Sequence, residues 1–161
     1  MEQAFLALLR AGENSIMQSQ ARDVLACNAQ SAPHGLSLTL AQAAALLQAE
    51  RGALEQTGRL PLGPGVLPAL IARFSASPFL NQADYPAALA ELTEIFYALK
   101  TETEDALGDE ALLAQMEAAF NGPCQGSTAL LSDALPALIR KARADRKYDG
   151  PDAWEAAYDE P

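Results

Sequence analysis

A cysteine between two glycines, in the stretch AFNGPCQGSTALLS at residues 119–132, has the sequence surroundings of a reactive site. Cys124 lies just ahead of a predicted helix start, and a helix N-terminus lowers the pKa of a nearby thiol. A nucleophilic thiolate also needs a base, and His34 is the only histidine in the chain. Cys124 and His34 are therefore the candidate catalytic residues.

The residues around this cysteine do not complete a known cysteine-protease pattern. Cys-Gln-Gly echoes the caspase signature, but Gly-Pro precedes the cysteine where that signature has Gln-Ala. The separation of His34 and Cys124 is 90 residues, where about 50 is typical. A structural interpretation accounts for the same stretch, because Gly122 can end one helix, Pro123 can prevent its continuation and Ser127 can cap the next.

Metal and cofactor sites lack a complete set of residues in the sequence. Cys27, His34 and Cys124 are one ligand short of a closed zinc site, and no Cys-x-x-Cys pair occurs. Glu91 and Glu94 are spaced i, i+3 like the carboxylates of di-metal bundles, but those sites also use histidines. We therefore predict no metal and no cofactor, and we interpret the carboxylates as part of a solvated helix face.

The composition favours helices. Half of the 161 residues are hydrophobic but only 6% are aromatic, and valine, which favours strands, occurs only twice. We predict an all-α bundle of about six or seven helices in a chain long enough to bury one core. The bundle is predicted with or without one minor two-stranded ribbon, in which GLSL at 35–38 would pair with RLPLGPG at 59–65. Pro61 would confine that ribbon to an edge role.

Capping patterns mark where the predicted helices begin. Thr39 with Gln42 forms a capping box, and Asp84 and Asp109 are the predicted caps of two later helices. The longest predicted helix spans residues 85–104, with an apolar stripe that steps by three and four residues through Leu89, Leu92, Phe96 and Leu99. We expect this helix to be central and Leu92 and Phe96 to lie in the core.

The charge and the apolar stretches exclude two classes of partner. The formal charge of −10 argues against nucleic acid, although residues 140–147 hold five of the eleven basic residues. No apolar stretch approaches the ~20 residues of a membrane span, and the N-terminal stretch lacks the features of a signal peptide. Two cysteines do not make a disulfide framework, so a cytoplasmic location is predicted.

The predicted organisation is a single helical domain at residues 1–147, followed by an acidic C-terminal tail at 148–161. Trp154 and Tyr158 in this tail are spaced i, i+4, so they would share one face of a short helix. An aromatic pair is unusual among so many acidic residues, because aromatic side chains favour burial. The tail would therefore dock on its own domain or bind another protein, and Trp154 and Tyr158 are the candidate partner-binding residues.

Several stretches between residues 34 and 132 resemble a known family. They are GLSLTLAQAAALLQAERGALEQTGRLPLGPGVLPALI, SPFL, ELTEIFYALKTET and CQGSTALLS. Together they resemble an uncharacterised bacterial domain-of-unknown-function family of small, acidic, helical proteins. The resemblance implies a helical fold. It implies no activity, cofactor or catalytic residue, because that family has none assigned. The family's version of GRLPLGPG is more strand-like, and Pro61 departs from it.

These patterns favour a non-enzymatic cytoplasmic component that binds an unidentified protein partner. The alternative is a small cysteine-dependent hydrolase or a small-molecule-binding helical bundle centred on Cys124. A pocket that holds Cys124 and His34 within hydrogen-bond reach would favour the alternative. A buried sulfur without a partner would favour the first function. The sequence does not specify the oligomeric state.

Overall fold

The computed structural model of the protein describes residues 3–4, 16, 18–59, 65–104 and 107–149, with side chains in the last helix through residue 145. The helices are α1 at residues 18–26, α2 Asn28–Ser31, α3 Leu40–Gln56, α4 Leu67–Phe74, α5 Tyr85–Glu102, α6 Asp109–Asn121, α7 Thr128–Asp133 and α8 Leu135–Asp149. A 3₁₀ turn at Ala32–His34 follows α2. Within these ranges there is no strand, which confirms the predicted all-α class.

Helix α5 is the centre of the bundle, because α3, α4, α6, α7 and α8 all contact it. Leu92 and Phe96 on α5 are fully buried, as their position in the apolar stripe predicts. An aromatic contact joins α4 to α6, where the rings of Phe74 and Phe120 meet edge to face with centroids 5.5 Å apart. Such edge-to-face pairs stabilise a core by about 0.5 to 1.5 kcal/mol beyond their burial.

Two of the predicted caps are confirmed. The Thr39 hydroxyl accepts a hydrogen bond from the Gln42 N–H, and the Gln42 side chain accepts one from the Thr39 N–H, which together form the capping box of α3. At α7, the hydroxyl of Ser127 accepts from the Leu130 N–H at 3.2 Å. Both residues satisfy backbone donors that a helix start leaves unpaired.

Of the two predicted aspartate caps, Asp84 is confirmed in position but its side chain does not cap the helix, and Asp109 is wrong. Asp84 occupies the N-cap position of α5, but its backbone is helical and its carboxylate accepts from the Asn81 amide at 3.1 Å instead of from the helix. At α6 the N-cap is Gly108, so Asp109 lies in the first turn, where it pairs with Lys100 Nζ at 2.7 Å. In each case another side chain competes for the carboxylate that would have capped the helix.

The segment at residues 36–39 is irregular and does not form the first half of the suggested ribbon. Leu38 N–H donates to Asn28 Oδ1 at 2.9 Å, and Asn28 Nδ2 donates to the Leu38 carbonyl at 3.0 Å. Ser37 makes the same pair of bonds with the side-chain amide of Gln82, at 2.8 and 3.0 Å. Two carboxamides thus take the places that a partner strand would fill. Residues 60–64, in the other half, lie outside the described residues.

The domain boundary at residue 147 stays a prediction. Helix α8 continues to Asp149, and residues 150–161, which include Trp154 and Tyr158, lie outside the described part of the chain. None of the described helices is long and apolar enough to cross a membrane.

Candidate functional site

Cys124 lies in the tight turn that joins α6 to α7. Its N–H donates to the Ala119 carbonyl at 3.0 Å, and its own carbonyl accepts from Ser127 N–H at 3.0 Å. The chain then passes through Gln125 and Gly126, both at positive φ, which is costly for the glutamine and free of cost for the glycine. The side chain of Cys124 is only 4% exposed. The turn therefore directs the sulfur into the core.

Burial raises the pKa of the Cys124 thiol above its ordinary value, because the charged thiolate is disfavoured where water is excluded. A nucleophilic cysteine needs the opposite shift. His34 is exposed at the end of the 3₁₀ turn. Among the described residues no hydrogen bond joins His34 to Cys124, so the structure does not bring these two candidates together.

The other cysteine, Cys27, is half-buried between α1 and α2. Its thiol donates to the Asp23 carbonyl at 3.5 Å. Burial and the nearby Asp23 carboxylate both raise the pKa of this thiol. No three metal-ligating side chains lie together within the described ranges.

Sequence reasoning missed Glu50, a buried carboxylic acid on α3 that is only 6% exposed. Glu50 Oε2 accepts from Val66 N–H at 3.1 Å, at the start of α4, and from the hydroxyl of Tyr97 on α5 at 3.2 Å. One carboxyl group therefore ties three helices together. A signal was present, because Glu50 falls within the buried helical stripe of α3 formed by Leu46, Leu47, Ala53 and Leu54.

The environment of Glu50 shifts its ionisation equilibrium toward the neutral form. Burial raises the pKa of Glu50, and the hydrogen bonds from Val66, Tyr97 and Leu67 oppose that shift only in part. Gly65, at φ +71°, lies directly over the carboxyl group, and a Cβ there would stand 2.3 Å from Glu50 Oε1. Only glycine fits this position. The arrangement has the features of a structural cap for α4, since the start of a helix presents unpaired N–H donors that the Glu50 carboxyl oxygen can accept from.

A shallow cleft of about 270 Å³ lies between α5 and α7, lined by Glu91, Glu94, Ile95, Thr128, Ala129 and Ser132. Glu91 and Glu94 are exposed, as the interpretation of a solvated face predicts, and the Glu91 carboxylate accepts a hydrogen bond from the Thr128 hydroxyl. This volume is below the range of about 300 to 1,000 Å³ that is usual for small-molecule pockets.

Two large apolar side chains near this part of the chain are exposed, one in the connection between α4 and α5 and one on α7. Phe79 is 42% exposed and Leu130 is 51% exposed. The Phe79 side chain lies against Gly126, where a Cβ would come within 2.2 Å of Phe79 Cβ. Leu130 is in the first turn of α7, next to the Ser127 cap. We call Phe79 and Leu130 the turn patch.

The family comparison covers most of the bundle described above. The family of unknown function DUF6323 matches residues 23–148, which is most of the chain. The chain belongs to the DUF6323 family. This confirms the resemblance seen in the sequence and extends it at both ends, from within α1 almost to the end of α8. The DUF6323 match includes Glu50, Phe79, Cys124 and Leu130. Comparison with curated proteins and with solved structures gives no match.

Proposed function

We propose that this chain is a non-enzymatic, protein-binding component of the cytoplasm, and that it binds its partner through the turn patch of Phe79 and Leu130. The observation that carries the proposal is the way Phe79 is held. An aromatic side chain that is both partly exposed and fixed in place is characteristic of an interface anchor.

The loop that carries Phe79 is fixed by its own hydrogen bonds. Ser77 Oγ donates to Asn121 Oδ1 on α6 at 2.6 Å, and Phe79 N–H donates to Ser77 Oγ at 3.3 Å. The close contact with Gly126 further limits the side chain. A preorganised aromatic group loses little conformational entropy on binding. Covering the exposed 42% of Phe79 would contribute about 2 kcal/mol, from a side-chain area of roughly 200 Å² at 25 cal/mol per Å².

The state of Cys124 supports a structural role for this residue over the hydrolase alternative. The thiol is buried and its pKa is raised, so its thiolate fraction at neutral pH is lower than that of an ordinary cysteine. A cysteine buried in the core behaves as a small apolar side chain. The binding proposal needs no chemistry from this residue.

Affinity purification tests the proposal, with the tagged full-length chain expressed in its native cells and the bound proteins identified by mass spectrometry. Three forms are compared: the wild type, the double variant Phe79→Ala/Leu130→Ala, and the control Leu40→Ala. Leu40 is 60% exposed on α3, so the control removes a similar apolar side chain from another surface. We expect the wild type and the control to recover the same partner, and the double variant to recover about tenfold less.

Two results would contradict this proposal. Equal recovery of the partner by the double variant would mean that the turn patch does not bind it. Recovery of no specific protein by the wild type would contradict a protein-binding function. Thermal denaturation of all three forms verifies that each variant is folded, which is expected because both substituted side chains are exposed.

A further inference from the structure

The last residue of α6 is an asparagine that a glycine follows, in the pair Asn121–Gly122. Of the four asparagines in the chain, only Asn121 precedes a glycine. In such a pair the backbone nitrogen of the glycine can attack the side-chain carbonyl carbon of the asparagine, because glycine has no side chain to hinder the approach. The pair is therefore a place where the chain can modify itself.

The fold requires both members of this pair. A Cβ on Gly122 would stand 2.8 Å from the carbonyl oxygen of Ala118, which is closer than a side chain can lie to a backbone atom. Asn121 Oδ1 accepts a hydrogen bond of 2.6 Å from Ser77 Oγ, which joins the α4–α5 connection to α6. Replacing either residue would introduce a clash or remove a hydrogen bond, so the reactive pair is built into the structure.

The same contacts keep the two reacting atoms apart in the folded protein. Gly122 N–H donates to the Ala118 carbonyl at 3.0 Å, so this nitrogen is directed toward the preceding helical turn. Ring closure needs the nitrogen turned onto the Asn121 side chain, which is itself held by the hydrogen bond from the α4–α5 connection. Cys124 N–H donates to the Ala119 carbonyl at 3.0 Å and further closes the end of α6. The reaction therefore requires this helix end to open.

We infer that Asn121 is a site of spontaneous deamidation that the folded protein holds closed and that local opening of the end of α6 exposes. A bond forms between Gly122 N and Asn121 Cγ while the bond from Cγ to Nδ2 breaks. The side-chain nitrogen leaves as ammonia, taking up the proton of the Gly122 N–H. Water then opens the five-membered imide at one of its two carbonyl carbons. The products are aspartate, or isoaspartate with the main chain running through the former side-chain carbon.

Either product would alter the junction between α6 and the connection that carries Phe79. Aspartate would place a negative charge at the C-terminal end of α6, where the helix dipole disfavours it. Isoaspartate would lengthen the main chain by one carbon atom and shift the Gly122 N–H out of register with its helical partner. The hydrogen bond from Ser77 depends on the same side chain. Deamidation would therefore loosen a contact between two parts of the bundle, and the altered form would accumulate with the age of the molecule.

Mass spectrometry of the digested full-length chain tests the inference after incubation at physiological temperature and mildly alkaline pH. The folded protein is compared with protein kept unfolded in guanidinium chloride. We expect Asn121 to deamidate at least about tenfold more slowly in the folded protein, because the reaction must wait for local opening. Asn28 and Asn81, which no glycine follows, serve as internal controls and should react much more slowly than Asn121 in the unfolded chain.

A serine variant tests the hydrogen bond that holds the asparagine. Ser77→Ala should speed deamidation in the folded protein by about five- to tenfold, because it frees the Asn121 side chain. The matched control is Ser75→Ala, since Ser75 is also buried but its hydroxyl donates to the Ala72 carbonyl, at 3.5 Å. The control should react at the wild-type rate. Circular dichroism verifies that both variants are folded.

Amide hydrogen exchange of the wild type measures the opening without any substitution. The Gly122 N–H should be protected by a factor similar to that by which folding slows deamidation, because the same opening exposes both groups.

Four outcomes would overturn the inference. No deamidation of Asn121 in the unfolded chain would remove the chemistry, and equal rates in the folded and unfolded chain would mean that the fold does not close the site. Deamidation of the folded protein while the Gly122 N–H stays protected from exchange would show that opening is not required. A folded Ser77→Ala that reacts at the wild-type rate would show that the Ser77 hydrogen bond does not hold the site closed.

Discussion

Replacing Glu50 with glutamine should change how the stability of the protein depends on pH. Glu50→Gln keeps the size of the side chain and one oxygen that can accept from Val66 N–H and the Tyr97 hydroxyl. It removes the ability to ionise. The variant therefore separates the titration of this buried group from its packing.

The direction in which stability changes with pH follows from the raised pKa of Glu50 in the folded protein. The folded state holds this proton more tightly than the unfolded chain does. The resulting stabilisation is fully present below the unfolded-state pKa of about 4.3, and it is lost as the pH rises through the higher folded-state pKa. Each unit by which the two values differ corresponds to about 1.4 kcal/mol. Glutamine has no such loss.

A second contribution, which does not depend on pH, should lower the free energy of unfolding of the variant. The side-chain amide of glutamine brings a donor into a site whose neighbours are themselves donors, and an unsatisfied buried donor costs about 1 to 3 kcal/mol. The free energy of unfolding of Glu50→Gln should therefore lie below that of the wild type at acid pH. The difference should shrink, or change sign, as the pH approaches neutrality.

Urea denaturation followed by circular dichroism, from about pH 4 to pH 8, measures this difference. The control is Glu55→Gln, because Glu55 is on the same helix but exposed. This control removes one negative charge from the same helix without removing a buried acid. The same pH dependence in the wild type and in Glu50→Gln would refute the reasoning, and an equal change in Glu55→Gln would assign the effect to net charge.

Four further predictions concern other parts of the chain. Phe96→Ala should lower the free energy of unfolding by about 3 to 5 kcal/mol because Phe96 is fully buried; an unchanged urea midpoint would contradict this. In a Cys27→Ser background, iodoacetamide should alkylate Cys124 no faster than an ordinary thiol, and rapid labelling at about pH 6 would restore the hydrolase alternative. Asn28→Ala should cost about 1 to 3 kcal/mol in thermal denaturation, since it leaves the Leu38 peptide groups without their partner. Trp154, outside the described residues, should show blue-shifted fluorescence that moves to the red on unfolding; native emission like that of free indole would mean that the tail does not dock.

Local sequence signals predicted the elements that depend on near neighbours. The capping box of Thr39 and Gln42 needs only a three-residue spacing, and the burial of Leu92 and Phe96 follows from helical periodicity. The cap at Asp109 could not be predicted in the same way. Its carboxylate pairs with Lys100, nine residues away on the preceding helix, and this tertiary contact overrides the local preference.

The features of the candidate site that the sequence did not reveal are long-range. Glu50 and Tyr97 are 47 residues apart and meet only because α3 lies against α5. Phe79 and Gly126 are likewise far apart in sequence, and their contact depends on how the α6–α7 turn folds back. The direction of the Cys124 sulfur has the same cause. A pattern of residue types gives no information about which way such a turn faces.

The irregular segment held by Asn28 and Gln82 has a consequence for the solubility of the protein. A chain segment with unpaired peptide groups is a template on which a second molecule can add a strand, which is a route to aggregation. Here Leu38 and Ser37 already have both their N–H and their carbonyl groups bonded to side-chain amides. The protein thus protects a stretch rich in leucine without building a sheet. Removing either amide would expose one set of peptide groups to intermolecular pairing.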